Sequence, residues 1–111
     1  MVNVEVKRHN GTIDNILIHD HAEYAENGQD LVCAGVSSIS VGMLNALDQL
    51  TGQDVCDLIM KEAYVEIRLK KRDKTAELLM EALVIQLKTL EENYHKYITI
   101  CDQEVWVWNS Y

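Results

Sequence analysis

A histidine and a cysteine twelve residues apart, His21 and Cys33, are the residues in this chain whose types and spacing suit covalent chemistry. The segment between them, Ala22-Glu23-Tyr24-Ala25-Glu26-Asn27-Gly28-Gln29-Asp30-Leu31-Val32, starts polar and ends apolar. It reads as a loop that opens into a helix. With Asp30 as N-cap, Leu31, Val32 and Cys33 become the first three helical residues. Backbone N–H groups there lack helical partners, and the helix end carries partial positive charge. A free thiol titrates at about 8.5, and such a position favours the thiolate. A histidine folded back onto the thiol supplies a general base, and the same amides can hold an oxyanion. Ser37 follows one turn later on the same face, within reach of the site or of its own helix backbone.

Two histidines compete as base, His19 and His21. In an extended segment they point to opposite sides, so one of them faces Cys33. His9 falls in a turn and His95 at a helix end, where a histidine needs no further role.

These residues need a scaffold, and the pattern supplies one. Residues 2–8 alternate as a strand with Val2, Val4 and Val6 on one face. Asn10-Gly11 is a hairpin signal, and residues 12–19 form the partner strand. The polar stretch Asp20–Asp30 is the longest loop, of a length that tends to be functional. The helix after it runs to about Leu50, with Val32, Val36, Ile39, Met43, Leu47 and Leu50 as its apolar face. Gly35, Ser38, Gly42 and Ala46 form a small-residue stripe beside that face, suited to close packing. A second strand pair covers residues 55–60 and 64–70. Asp73 or Thr75 then caps a helix to about Tyr94, buried through Ala76, Leu79, Met80, Leu83, Leu87, Leu90 and Tyr94. A last strand spans 97–101. The order β-β-α-β-β-α-β predicts a two-layer α+β fold, a mixed or antiparallel sheet with both helices on one face. Without linker, repeat or proline, residues 1–111 read as a single domain.

Composition narrows the function. The chain has 111 residues, 48% of them hydrophobic, enough for one folded core. A net charge of −8 argues against nucleic-acid binding and suits a basic partner. No run reads as a membrane span, and the N-terminus lacks the basic start and apolar block of a signal peptide. Cys33, Cys56 and Cys101 are an odd count with no CxxC pair, so neither a zinc site nor a disulfide framework is expected. The expected location is the reducing cytoplasm, with no membrane, metal or cofactor. Cys56 and Cys101 lie in strands and read as small apolar residues.

The segment resembles the signature of the ribosomal-processing cysteine proteases of the Prp family. Their pattern runs Gly-His-Ala, an aromatic-containing loop with Gly-x-Asp, then x-Val-Cys-Ala-x-x-Ser. His21, Ala22, Gly28, Asp30, Val32, Cys33, Ala34 and Ser37 match it in identity and spacing, and the element order extends the resemblance over essentially the whole chain. The resemblance implies Cys33 as nucleophile and His21 as base, with Asp30 and Ser37 in support. It implies removal of the N-terminal extension of bacterial large-subunit ribosomal protein L twenty-seven, cut after paired phenylalanines, by a homodimer. One position departs from the pattern. The family has glycine before the histidine, as a hinge, and this chain has Asp20. A carboxylate there is less free in its backbone and can raise the basicity of a neighbouring imidazole. Two other readings use the same residues. In one, the chain binds ribosomal protein without cutting it and Cys33 is structural. In the other, Cys33 is a redox-sensing thiol, though no resolving cysteine lies near it in sequence.

Overall fold

Alternating valines and isoleucines build the centre of the molecule. The structure, a computed structural model, describes residues 1–20 and 27–105, with the backbone alone at 27–29. Its elements are β1 (Val2–His9), β2 (Thr12–His19), α1 (Asn27–Leu50), β3 (Cys56–Lys61), β4 (Tyr64–Leu69), α2 (Lys74–Tyr94) and β5 (Ile98–Glu104). The predicted order holds. The trailing Trp106–Trp108 segment lies outside the described residues.

The five strands form one mixed sheet in the order β3-β4-β2-β1-β5. Every pairing is antiparallel except β1 with β5. Both helices are therefore crossovers between strands of like direction, β2 to β3 and β4 to β5. The two crossovers start from opposed strands and travel to opposite edges. The right-handed rule then puts both helices on the same face. The packing agrees. Val2, Val4, Val6, Ile13, Ile16, Ile18 and Ile67 from the sheet share one core with Val32, Val36, Met43 and Leu47 of α1. Ala76, Met80, Leu83, Val84 and Leu87 of α2 complete it.

Local chemistry explains the boundaries. Asn10 and Gly11 both take positive φ, +51° and +80°, as a two-residue hairpin turn requires. The side chain of Glu104 accepts from the amides of both, at 2.6 and 2.9 Å. That clamp accounts for part of a correction: β5 runs to Glu104 rather than Cys101. Its parallel register with β1 continues to Arg8 opposite Glu104. The acids that made this stretch look like a loop are fastened. Arg8 Nε donates to Asp102 Oδ1 at 2.7 Å, and Arg8 Nη1 donates to Glu81 Oε2 of α2 at 2.6 Å. Lys88 Nζ donates to Asp102 Oδ2 at 2.8 Å. The Arg8 hydrogen bonds hold the Asp102 carboxyl below the usual carboxylate range, and the two carboxylates hold Arg8 above its own.

Three helix expectations change. Leu50 is 63% exposed, because the last residue of α1 is no longer over the core, and Val84 joins the buried face of α2. The small-residue stripe packs in part: a Cβ on Gly35 would meet Leu90 Cδ1 at 3.4 Å and Ala46 packs against the core, while Gly42 faces no neighbour within 4 Å. The span Asp30–Leu50 also proves long and apolar enough to cross a membrane by length and composition, with mean hydropathy 1.5. Its buried face is the one already accounted for by the core of this fold.

Candidate active site

The fold places the thiol on α1, but not where the sequence puts it. The helix begins at Asn27, so Asp30 is an exposed first-turn residue and not the cap. Gly28 lies in that same turn rather than in the loop. The reason the sequence misleads is local: Asn27-Gly28 reads as a turn signal, yet the chain there is already helical. Cys33 is consequently the seventh helical residue, in the second turn. Its own N–H is satisfied by the helix. The backbone amides of residues 27–29, the start of the described helix, lie roughly 6–9 Å back along the axis. Two features bring thiol and amides closer. Helical Cα–Cβ bonds tilt toward the N-terminus, so a Cys33 side chain leans over the turn before it. Gly28, in that turn, carries no side chain to shield the backbone.

Cys33 is half-buried and packs against the edge of the core. Asp30, three residues before it, and Ser37, four after it, share its side of the helix and are both exposed. Ser37 lines a cleft between α1 and the β3–β4 hairpin. The structure thus brings Cys33, Asp30 and Ser37 onto one helix face. His21 lies outside the described residues.

The competing histidine, His19, is placed clearly. It ends β2 on the sheet face opposite the helices, since its neighbour Ile18 is fully buried under them. Its Nε2 lies 2.7 Å from Glu5 Oε2 and its Nδ1 2.7 Å from Asp20 Oδ2. Asp20 therefore engages His19, and its side chain also accepts from Asn3 Nδ2 at 3.3 Å. Asp20 adopts φ +63°, in the left-handed region that a glycine enters without strain. A short polar side chain is the next most tolerant choice there. Asp20 is thus strained in the backbone but anchored by its carboxylate.

None of the three cysteines is disulfide-bonded. Cys56 is half-buried on β3, and burial pushes its thiol up, away from reactivity. Cys101 is exposed and lines a shallow hollow of about 390 Å³ with His19 and Glu5, on the far side of the sheet from Cys33. Among the described residues no His, Cys, Asp and Glu cluster is arranged to hold a metal. His95 is the exposed C-cap of α2. One residue of this region escapes sequence reasoning. Ser40, seven residues after Cys33 on the same stripe, is 1% exposed and its hydroxyl has no hydrogen-bond partner. The seven-residue spacing was the available signal, hidden in the run Ser37-Ser38-Ile39-Ser40.

The sequence and the fold are similar to those of known proteins. The family described as cysteine protease Prp matches residues 1–99. A ribosomal processing cysteine protease Prp of Bacillus subtilis is 33% identical over 102 residues, covering 85% of this chain and 90% of that one. Its Staphylococcus aureus counterpart is 28% identical over 93 residues, covering 81% and 87%. A crystal structure of the essential S. aureus protease in complex with a substrate peptide superposes with a TM-score of 0.84 at 26% identity, covering 93% of this chain and 100% of that one. A second, with a covalently linked product peptide, gives 0.82 at 27% identity, with the same coverage. With the fold and the family match in agreement, this chain belongs to the Prp family of cysteine proteases.

Proposed function

We propose that this protein removes the N-terminal extension of large-subunit ribosomal protein L twenty-seven with Cys33 as nucleophile and His21 as general base. The observation that carries the reading is the placement of Cys33. It is half-buried on the same side of α1 as Ser37, in a chain whose relatives are ribosomal processing proteases. His19 does not compete, because it faces the other side of the sheet and is held between two carboxylates.

In the first step His21 takes the Cys33 proton. The thiolate attacks the scissile carbonyl carbon, a C–S bond forms, and the carbonyl oxygen becomes an oxyanion. Backbone amides of the first turn, around Gly28, hold that oxyanion. His21 then protonates the departing amine as the C–N bond breaks, leaving a thioester. Water, deprotonated by His21, hydrolyses the thioester and releases Cys33. Asp30 and Ser37 flank the thiol and orient groups around it. Asp20 fixes the start of the loop that carries His21, where the family pattern has a freely turning glycine. The whole chain, 1–111, acts as one protease domain and as a homodimer. It works in the cytoplasm, where a thiol nucleophile stays reduced. Its charge of −8 draws in a basic ribosomal-protein tail and disfavours direct contact with nucleic acid. No metal or cofactor is required for these steps.

Mass spectrometry of the ribosomal protein precursor after incubation tests this reading. Wild type and His19→Gln should both release the extension, while His21→Gln should leave it attached. Cleavage retained in His21→Gln, or lost in His19→Gln with the fold intact, would assign the base elsewhere.

A further inference from the structure

His19 has a carboxylate against each of its ring nitrogens. Nε2 lies 2.7 Å from Glu5 Oε2, and Nδ1 lies 2.7 Å from Asp20 Oδ2. A neutral imidazole carries one N–H and one bare nitrogen, and an ionised carboxylate can only accept. Both contacts are therefore hydrogen bonds only while His19 is the imidazolium. Neutral His19 keeps one of them and turns a lone pair toward the other carboxylate.

The Asp20 arm is the one that gives way. Glu5 stands in the middle of β1, paired with Leu17 on one side and Cys101 on the other, so its backbone is fixed. Asp20 follows the last residue of β2, and its side chain is 65% exposed against 44% for Glu5. Its φ of +63° is a conformation that an L-residue leaves readily once its side chain is freed. Asn3 Nδ2, at 3.3 Å, is a longer and weaker tie to the same carboxylate. The neighbouring ionisable groups leave this trio to itself. Tyr64 stands opposite His19 in β4, and its hydroxyl donates to Glu66 Oε1, which raises its titration above the ordinary range. Lys61 of β3 sits over the Tyr64 ring, 5.9 Å from its centroid. Cys101 of β5 lines the hollow on the far side of Glu5.

From this we infer that His19 is a positioning residue for His21, acting through Asp20 as a charge-dependent clasp. As imidazolium it holds the backbone turn at Asp20, from which the chain leads directly to His21. As neutral imidazole it lets that turn go. Holding a base in its working direction raises turnover without any contact to substrate. The inference rests on the proteolytic reading in which His21 is the base, and adds to it a control by protonation.

The test follows cleavage of the ribosomal protein precursor at saturating concentration, together with NMR of the same full-length protein. Both run from about pH 5 to 8, where histidine ordinarily changes charge. Glu5→Gln is the decisive variant. Its amide can give to or take from Nε2, so Nδ1–H stays on Asp20 in both charge states of His19. The kcat ratio of Glu5→Gln to wild type cancels the titrations of Cys33 and His21. It should be near unity in acid and rise to about fivefold at the alkaline end, a modest cost for a base held loosely. His19→Gln should still cut, at the lower rate throughout. The carbon shift of Asp20 Cα, which reads its backbone, should follow the His19 proton in wild type and stay constant in Glu5→Gln. Cleavage with a flat kcat ratio overturns the positioning role alone. An Asp20 backbone indifferent to the His19 proton overturns the clasp. A wild type that cuts nowhere in the range while Asp20 follows His19 supports the clasp, and sinks proteolysis and the positioning role with it.

Discussion

The two helices lie on the same sheet face and do opposite things with their sequence. In 21 residues α2 buries Ala76, Met80, Leu83, Val84 and Leu87. Its start is closed by two side-chain hydrogen bonds. The Asp73 side chain accepts from the Ala76 amide at 2.9 Å, and Glu77 accepts from the Asp73 amide at 3.0 Å. Glu81 ties it to β1 through Arg8. The longer α1 has 24 residues and buries only Val32, Val36, Met43 and Leu47 among its apolar side chains. Where α2 would place another leucine, α1 places Cys33, Ser37 and Ser40. One helix holds the fold, and the other gives up packing and keeps a thiol and a cleft. The orphan hydroxyl of the described core, Ser40, lies on α1, while the described non-glycine residues with positive φ are Asn10, Asp20 and Ala63, at the ends and turns of strands.

Substitutions ought to respect that division. Leu83→Ala, in the centre of α2, should cost about 3 kcal/mol, because the site is fully buried and cannot collapse. Urea unfolding measures it, and a loss under 1 kcal/mol would break the comparison. Arg8→Met should cost about 2 kcal/mol at neutral pH by leaving the Glu81 and Asp102 carboxylates without their guanidinium. Its pH dependence sharpens the point. The folded-state pKa of Asp102 is depressed, chiefly by its hydrogen bond from Arg8. The stability it contributes is therefore full above the unfolded value of about 4 and lost as pH falls through the folded value. Wild type and Arg8→Met should draw together in stability as pH falls below about 4, and a constant gap would exclude the linkage. Asp73→Ala should cost about 1 kcal/mol in thermal unfolding, the ordinary worth of an N-cap. The smallest effect, of opposite sign, belongs to α1. Ser40→Ala should raise stability by up to about 1 kcal/mol, since it removes an unpaired buried hydroxyl. A clear loss there would mean that Ser40 serves the core as α2 residues do.

The division also explains what could be read before the structure. The α2 helix is legible almost throughout: of the two candidate caps Asp73 serves, Tyr94 is the end, and the buried face differs in that Val84 joins it while Leu79, Leu90 and Tyr94 are half-buried. Its local preferences and its tertiary role agree. The hairpin turn at Asn10-Gly11 was legible for the same reason. At α1 they conflict. Asn27-Gly28 carries turn chemistry but continues the helix, which moves Cys33 from the first turn to the second. Ser40 was invisible, because a sequence does not reveal that a serine hydroxyl will point away from its own backbone. The end of β5 was obscured by Asp102 and Glu104, whose partners Arg8 and the Asn10-Gly11 amides are distant in sequence. Resemblance singled out His21 over His19, and the placement of His19 on the far face gives that choice a physical reason.

The most direct test of the account is cleavage of the ribosomal protein precursor by wild type and by Cys33→Ala, side by side. Circular dichroism should confirm that both are folded. The account predicts release of the extension by wild type, none by Cys33→Ala, and full activity in Cys56→Ala and Cys101→Ala. Cleavage by folded Cys33→Ala at the wild-type rate would contradict it.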